Sequence, residues 1–140
     1  MYKPKLDKDI RCPLEYAMNV FGGKWKTRII CVVSRNENIR YGEIKKQMTN
    51  ITDTVLAATL KELVNDGIVD RIQYNEMPPR VEYNLTKNGR SILPILYKIC
   101  EWSDYVYHDE LEYDSICCKC DYKRDSDMAL AQKELKEKAN

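Results

Sequence analysis

Residues 41–85 decide the fold of this chain: YGEIKKQMTNITDTVLAATLKELVNDGIVDRIQYNEMPPRVEYNL. Residues 41–48 place apolar side chains at helical spacing, and a tight turn follows them. Thr52 is a good N-cap for a second, longer helix, which Gly67 can end in the left-handed conformation. One face of this second helix is apolar and is expected to be buried. Its members are Leu56, Leu60, Leu63 and Val64.

Two strand candidates follow the helix pair. Residues 68–74 are rich in β-branched and aromatic side chains, and residues 80–85 alternate apolar and polar positions. Pro78 and Pro79 keep the connecting turn extended and outside any sheet. A short helix, a tight turn, a second helix and a two-stranded hairpin form the order of a winged helix-turn-helix. Scaffolds that do not bind DNA also use this order, so function needs further support.

Three further helices are predicted around this unit. Pro13 opens the first, and residues 24–34 form a second with a wide apolar surface. Thr86 caps the last helix, which runs to about residue 107. Pro94 near its start predicts a kink or a late start. The predicted fold class is therefore mainly α with a small β-hairpin wing.

The charge distribution separates a basic body from an acidic end. Residues 1–100 hold 17 basic and 11 acidic side chains (+6), and residues 101–140 hold 6 and 11 (−5), which together give the overall +1. A domain with net positive charge can bind a polyanion such as DNA. A net charge of +6 over a hundred residues is, however, also ordinary for a protein surface. We expect an N-terminal arm over residues 1–12, the winged domain over residues 13–107, and an acidic, cysteine-containing tail over residues 108–140.

Length and composition exclude several classes of protein. The 140 residues, of which 44% are apolar and 32% charged, are typical of one globular domain. We find neither an apolar run that could span a membrane nor a secretory signal, and expect a cytoplasmic protein without a membrane partner. Phosphate-binding glycine loops and a nucleophile elbow are absent, and there is a single histidine. We therefore expect no enzyme activity, no catalytic residues and no cofactor.

Five segments together resemble the HxlR family, a branch of winged-helix transcriptional regulators similar to the MarR group. The resemblance runs from Cys12 to about Tyr105. It implies a homodimer that binds a two-fold-related operator in double-stranded DNA, and we expect a repressor. The segments are CPLEYAMNVFGGKWKTRII (12–30), RYGEIKKQM (40–48), LKELVNDGIVDR (60–71), PPRVEYNLTKNGR (78–90) and ICEW (99–102).

The same resemblance implies that the first and last helices form the dimer contact. The last helix carries apolar residues on more than one side and needs a second surface to cover them. The alternative is that they fold back on their own domain. The predicted contact residues are Leu14, Met18, Leu96, Ile99, Trp102 and Tyr105.

The second helix of the pair is expected to enter the major groove through its N-terminal part. Ala57 and Ala58 stand where the family usually has longer polar side chains, which favours T-rich half-sites or indirect readout. Arg80 near the wing tip is predicted to reach the minor groove. The alternatives are that Thr52 is only a helix cap and that the cations are solvated. Predicted DNA contacts from the second helix are Thr52, Asp53, Thr54, Ala57, Ala58 and Lys61, with phosphate contacts from Lys26, Arg40, Lys45 and Lys46.

Cys12 is the predicted regulatory residue. It precedes Pro13 at the start of the first helix, where the positive end of the helix favours a thiolate. The resemblance implies that some family members sense oxidants or electrophiles through a cysteine at this position. The alternative is an inert cysteine. Cys31 and Cys100 lie in apolar helical stripes and are expected to be buried.

Two other functions stay open. Cys117 and Cys120 have the C-x-x-C spacing of zinc sites and dithiol switches, with Cys118 and His108 nearby. No second such pair follows, so we predict no metal site. The alternative of a thiol redox protein predicts turnover in a disulfide-exchange assay. A winged helix used only for protein contact, which the Ala57–Ala58 surface favours, would show no salt-dependent DNA affinity. For a regulator, the effector would be an oxidant or a small molecule.

Overall fold

A computed structural model describes residues 11–107 of the chain, with side chains up to residue 103. Within that range the elements confirm the predicted winged helix-turn-helix, mainly α with a β-hairpin wing. They are α1 (Pro13–Phe21), α2 (Lys26–Arg35), α3 (Tyr41–Met48), α4 (Asp53–Asn65), β1 (Val69–Tyr74), β2 (Arg80–Leu85) and α5 (Lys87–Tyr107).

The chain divides into two compact units between Leu93 and Pro94, inside α5. The first unit holds α1 to α4, the hairpin and the first residues of α5. Thr86 caps α5, because its Oγ1 accepts a hydrogen bond of 2.9 Å from the Gly89 N–H. The helix begins directly after this cap, so the late start considered for Pro94 does not occur.

The core of the first unit is built from helical stripes. Apolar residues at three- and four-residue spacing put one face of each helix out of contact with water. Three expectations need correction: α2 begins at Lys26 rather than at residue 24, Val64 of the predicted α4 stripe is half-buried, and Cys31 and Cys100 are half-buried rather than buried. The buried stripes are Ile29, Ile30, Val32 and Val33 in α2, Ile44 and Met48 in α3, and Leu56, Leu60 and Leu63 in α4.

The hairpin is antiparallel, and its register pairs Val69 with Leu85 and Tyr74 with Arg80. The inner face buries Val69, Leu85 and Tyr83. Ile39 adds a one-residue bridge, since Tyr83 donates its N–H to the Ile39 carbonyl at 2.8 Å. This contact attaches the wing to the loop before α3. Periodicity could not predict it, because a single residue has no period.

Candidate nucleic-acid interface

The turn between α3 and α4 is fixed by backbone contacts. Thr49 adopts a φ of 52°, an uncommon conformation for a β-branched residue. Ile51 follows it, is buried, and donates its N–H to the Thr49 carbonyl. Arg28 of α2 donates from Nη2 to the Met48 carbonyl at 3.2 Å, which satisfies a terminal acceptor of α3. The end of α3 is thus held by α2, and α4 begins two residues after the buried Ile51.

Thr52 caps α4, as the sequence predicts. Its Oγ1 accepts a hydrogen bond of 3.3 Å from the Val55 N–H. The next turns of α4 carry a face opposite the leucine stripe, and every residue predicted there to contact DNA is exposed. The face consists of Thr52, Asp53, Thr54, Ala57, Ala58 and Lys61, and we call it the α4 face.

Asp53 is engaged by two residues of α3. Lys45 Nζ lies 2.8 Å from Asp53 Oδ2, and the Tyr41 hydroxyl donates to Asp53 Oδ1 at 3.1 Å. The hydrogen bond from Lys45, and then that from Tyr41, lowers the pKa of Asp53. Burial, and then the hydrogen bond to Asp53, raises the pKa of Tyr41. Sequence reasoning treated Lys45 and Asp53 as separate DNA contacts and missed that they pair.

Three of the predicted cations, one on the α4 face and two in or at the start of α3, are open to solvent. Arg40, Lys46 and Lys61 are exposed and form no ion pair or hydrogen bond with any side chain in residues 11–103. Lys26 differs, because its Nζ lies 3.0 Å from Glu62 Oε2 and donates to the Asn19 carbonyl at 3.0 Å. Arg40, Lys46 and Lys61 are therefore available to phosphates in this conformation, whereas Lys26 is engaged.

Arg80 is held against the wing. Its guanidinium lies 4.0 Å from the centre of the Tyr74 ring, its Nη2 3.2 Å from Glu76 Oε1, and its Nε 3.5 Å from Glu82 Oε1. The arginine side chain keeps only 31% of its surface exposed. Reaching a minor groove requires it to leave both carboxylates. Glu82 lies two residues along the same strand, Glu76 lies four residues earlier in the connecting turn, and the hairpin register brings the Tyr74 ring to Arg80 from the opposite strand.

Cys12 occupies the N-cap position of α1 and is exposed. Its side chain makes no capping hydrogen bond, so the thiol is accessible to a reagent. The Glu15 carboxylate accepts a hydrogen bond of 2.9 Å from the Arg11 N–H in the same turn.

The predicted dimer residues differ in exposure. Leu14 and Met18 on α1 are 67% and 45% exposed. Ile99 and Trp102, in the second unit, are also exposed, at 46% and 61%. Leu96 is buried already within a single chain. Tyr105 lies beyond the residues whose side chains are described.

No metal site is found in the described part of the chain. Among residues 11–103 no three His, Cys, Asp or Glu side chains are grouped so that they could hold an ion. Within residues 11–107 no helix has the length and apolarity needed to cross a membrane. The cysteine cluster Cys117, Cys118 and Cys120, and His108, lie outside the described residues.

Comparison with known proteins extends these observations. Residues 20–111 match the family described as HxlR-like helix-turn-helix. An uncharacterised HTH-type transcriptional regulator from Methanothermobacter thermautotrophicus is 42% identical over 105 residues, which are 74% of this chain and 79% of that protein.

Two solved structures are also similar. The oxidised form of the redox regulator HypR is 38% identical with a TM-score of 0.62, over 67% of this chain and 96% of HypR. The reduced form of the transcriptional regulator YodB from B. subtilis is 32% identical with a TM-score of 0.61, over 68% of this chain and 93% of YodB. With the helix pair and the wing in place, these matches confirm the resemblance found in the sequence: the chain belongs to the HxlR-like helix-turn-helix family, and its relatives are transcriptional regulators.

Proposed function

We propose that this protein is a cytoplasmic transcriptional repressor that binds double-stranded operator DNA as a homodimer. The α4 face carries the proposal, because it is an exposed helix surface on a firmly held helix-turn-helix. The winged domain over residues 13–107 supplies the DNA contacts and the dimer helices. The arm over residues 1–12 and the tail over residues 108–140 flank it.

The chemistry of the α4 face determines what it can recognise. Ala57 and Ala58 offer only methyl groups, which suit the C5 methyl of thymine and cannot form the bidentate pair that identifies guanine. Thr52 and Thr54 add hydroxyls for phosphates or base edges. We therefore propose T-rich half-sites, with part of the specificity coming from DNA shape.

Phosphate contacts come from the cations around the α4 face. Arg40, Lys46 and Lys61 are free to contact phosphates in the structure described above. Lys45 can contribute while it stays paired, since its ammonium has three donors and Asp53 accepts one of them. Arg80 joins from the wing after it leaves Glu76 and Glu82.

Exposed apolar side chains support a homodimer. Leu14 and Met18 on α1, and Ile99 and Trp102 on α5, expose large apolar surface in a single chain. Two protomers then place two α4 helices on half-sites about one helical turn of DNA apart, roughly 34 Å. Sedimentation at micromolar protein concentration tests this, with a dimer expected and a stable monomer contradicting it.

We propose that Cys12 makes the repressor responsive to oxidants. An oxidant such as diamide takes two electrons and two protons from two thiols, and one S–S bond forms. Cys12 supplies one thiol, and the partner is Cys12 of the second protomer or a small thiol. Either product changes the spacing of the two α4 helices. The exposure of Cys12 and the similarity to HypR, a redox regulator, support this proposal.

Fluorescence anisotropy on labelled duplex DNA tests the proposed function. The probe is the region upstream of the protein's own gene, compared with a shuffled duplex of equal length. We expect preference for the upstream duplex and affinity that falls steeply as salt rises. Affinity for neither duplex across the salt series would contradict DNA binding and favour the protein-contact alternative.

A further inference from the structure

The first unit contains a cavity of about 170 Å³ between α1, the end of α4, the start of β1 and the start of α5. Its apolar walls come from Val20, Phe21, Ile68 and Ile92, all of which are buried. A closed, dry cavity of about 150 Å³ lined by apolar side chains can bind benzene; this pocket has a similar volume and is open to solvent on one side. The space is thus large enough for one aromatic ring with a short substituent.

Asp66 lines the same cavity and forms the C-cap of α4. Within residues 11–103 its carboxylate accepts no hydrogen bond and forms no ion pair. Lys26 is the nearby cation, and its ammonium is already engaged by Glu62 and by the Asn19 carbonyl. Burial raises the pKa of Asp66, and Lys26 opposes that shift. A half-buried carboxylate beside an apolar wall therefore has no counter-ion of its own.

Two further features make this position favourable for a positive charge. The C-terminus of α4 carries the negative end of its helix dipole. Tyr16 and Phe21 bring aromatic rings to the lining, and ring faces attract cations. An anion would meet repulsion from Asp66 and from the helix end, and a neutral apolar molecule would leave the carboxylate unpaired.

We propose that this cavity binds a small organic cation with an apolar body about the size of one aromatic ring. Its ammonium group pairs with the Asp66 carboxylate, and its body lies against Val20, Phe21, Ile68 and Ile92. The site is separate from the α4 face and from Cys12. Its existence does not depend on DNA binding.

Isothermal titration of the full chain with three matched probes tests this site. The probes are 2-phenylethylamine as the cation, 2-phenylethanol as its neutral counterpart, and phenylacetate as an anion. We expect the amine to bind at least about tenfold more tightly than the alcohol, and phenylacetate to bind most weakly. The proposal would be overturned if the amine and the alcohol bound with equal affinity. It would also be overturned if none of the three probes saturated the protein at millimolar concentration.

Three variants, with a fourth held in reserve, assign the binding to the cavity. Asp66→Asn should reduce the affinity for the amine to that for the alcohol, whereas the matched variant Asp70→Asn on exposed β1 should leave it unchanged. Ala17→Leu should weaken both ligands by filling the space; if it lowers thermal stability, Ser91→Leu at an exposed lining position replaces it. An amine preference that survives Asp66→Asn would place the binding elsewhere and refute the site.

Discussion

Lys45 Nζ and Asp53 Oδ2 lie 2.8 Å apart, so an ion pair links the last turn of α3 to the first turn of α4. Asp53 also lies at the positive end of α4, where a carboxylate is favourable. The pair therefore joins the two helices on the exposed side of the turn, at the place where DNA is expected to bind. It also restrains a lysine that would otherwise move freely beside the phosphates.

The first prediction concerns the pH dependence of this link. Lys45 and Tyr41 hold the pKa of Asp53 below its ordinary value of 3.8. A depressed pKa means that the carboxylate stabilises the fold above pH 3.8 and loses this effect as the pH falls through the folded-state pKa. Asp53→Asn should thus lower the urea midpoint slightly at pH 7, and the difference should close in strong acid. A gap that stays constant down to the acid limit would show that Asp53 acts by another route, with Asp70→Asn as the matched control.

The second prediction separates the two hydroxyls at the start of α4. Thr52→Ala removes the cap and should cost about 1 kcal/mol of unfolding free energy. Thr54→Ala is the control, because this exposed side chain makes no hydrogen bond within the described residues. Urea unfolding measures both variants. Equal stability losses would mean that the Thr52 hydroxyl is not the cap.

The third prediction concerns Arg80, which must leave Glu76 before it can contact DNA. Glu76→Gln weakens that restraint and should raise operator affinity about two- to fivefold, the range expected for an exposed ion pair. Removing any negative charge near DNA also helps binding, so Asp70→Asn, on the hairpin face that carries Tyr74 and Arg80, supplies the baseline. In an Arg80→Ala background the gain from Glu76→Gln should fall to that baseline. A gain that persists there would exclude competition for Arg80.

The fourth prediction tests Cys12 as the sensor. Cys12→Ser should bind operator DNA as the reduced wild type does and should keep that affinity after diamide treatment. Cys100→Ser, at a half-buried position on α5, should still respond. The readout is anisotropy with diamide-treated and reduced protein side by side. An unchanged oxidant response in Cys12→Ser would transfer the sensing role to another thiol.

Most of the fold was predictable because the pattern of apolar residues is strong. Three features of α4 each have one local cause, and the structure confirms them: the buried stripe of Leu56, Leu60 and Leu63, the cap by Thr52, and the left-handed conformation of Gly67 after the helix. The bridge from Ile39 to Tyr83 was not predictable, since strand pairing over that distance depends on the folded hairpin.

The sequence predicts which residues of the site are exposed, but it does not predict which of them contact one another. Exposure of Ala57 and Ala58 follows from their place opposite the leucine stripe. The pairing of Lys45 with Asp53 needs the angle of the turn, and the restraint on Arg80 needs the register that sets it opposite Tyr74. The sequence shows where the positive charges are. Only the tertiary structure shows which of them form ion pairs and which remain exposed to solvent.

The most direct test of the central claim adds one negative charge to the α4 face. Ala58→Asp places a carboxylate where the DNA is expected, and Asn65→Asp adds the same charge at an exposed position at the far end of the same helix. Anisotropy with the upstream duplex should show a loss of more than about tenfold for Ala58→Asp, because like charges at an interface are strongly unfavourable. Asn65→Asp should stay within about twofold, with both variants checked by thermal unfolding. Equal affinities for the two variants would contradict DNA recognition by α4.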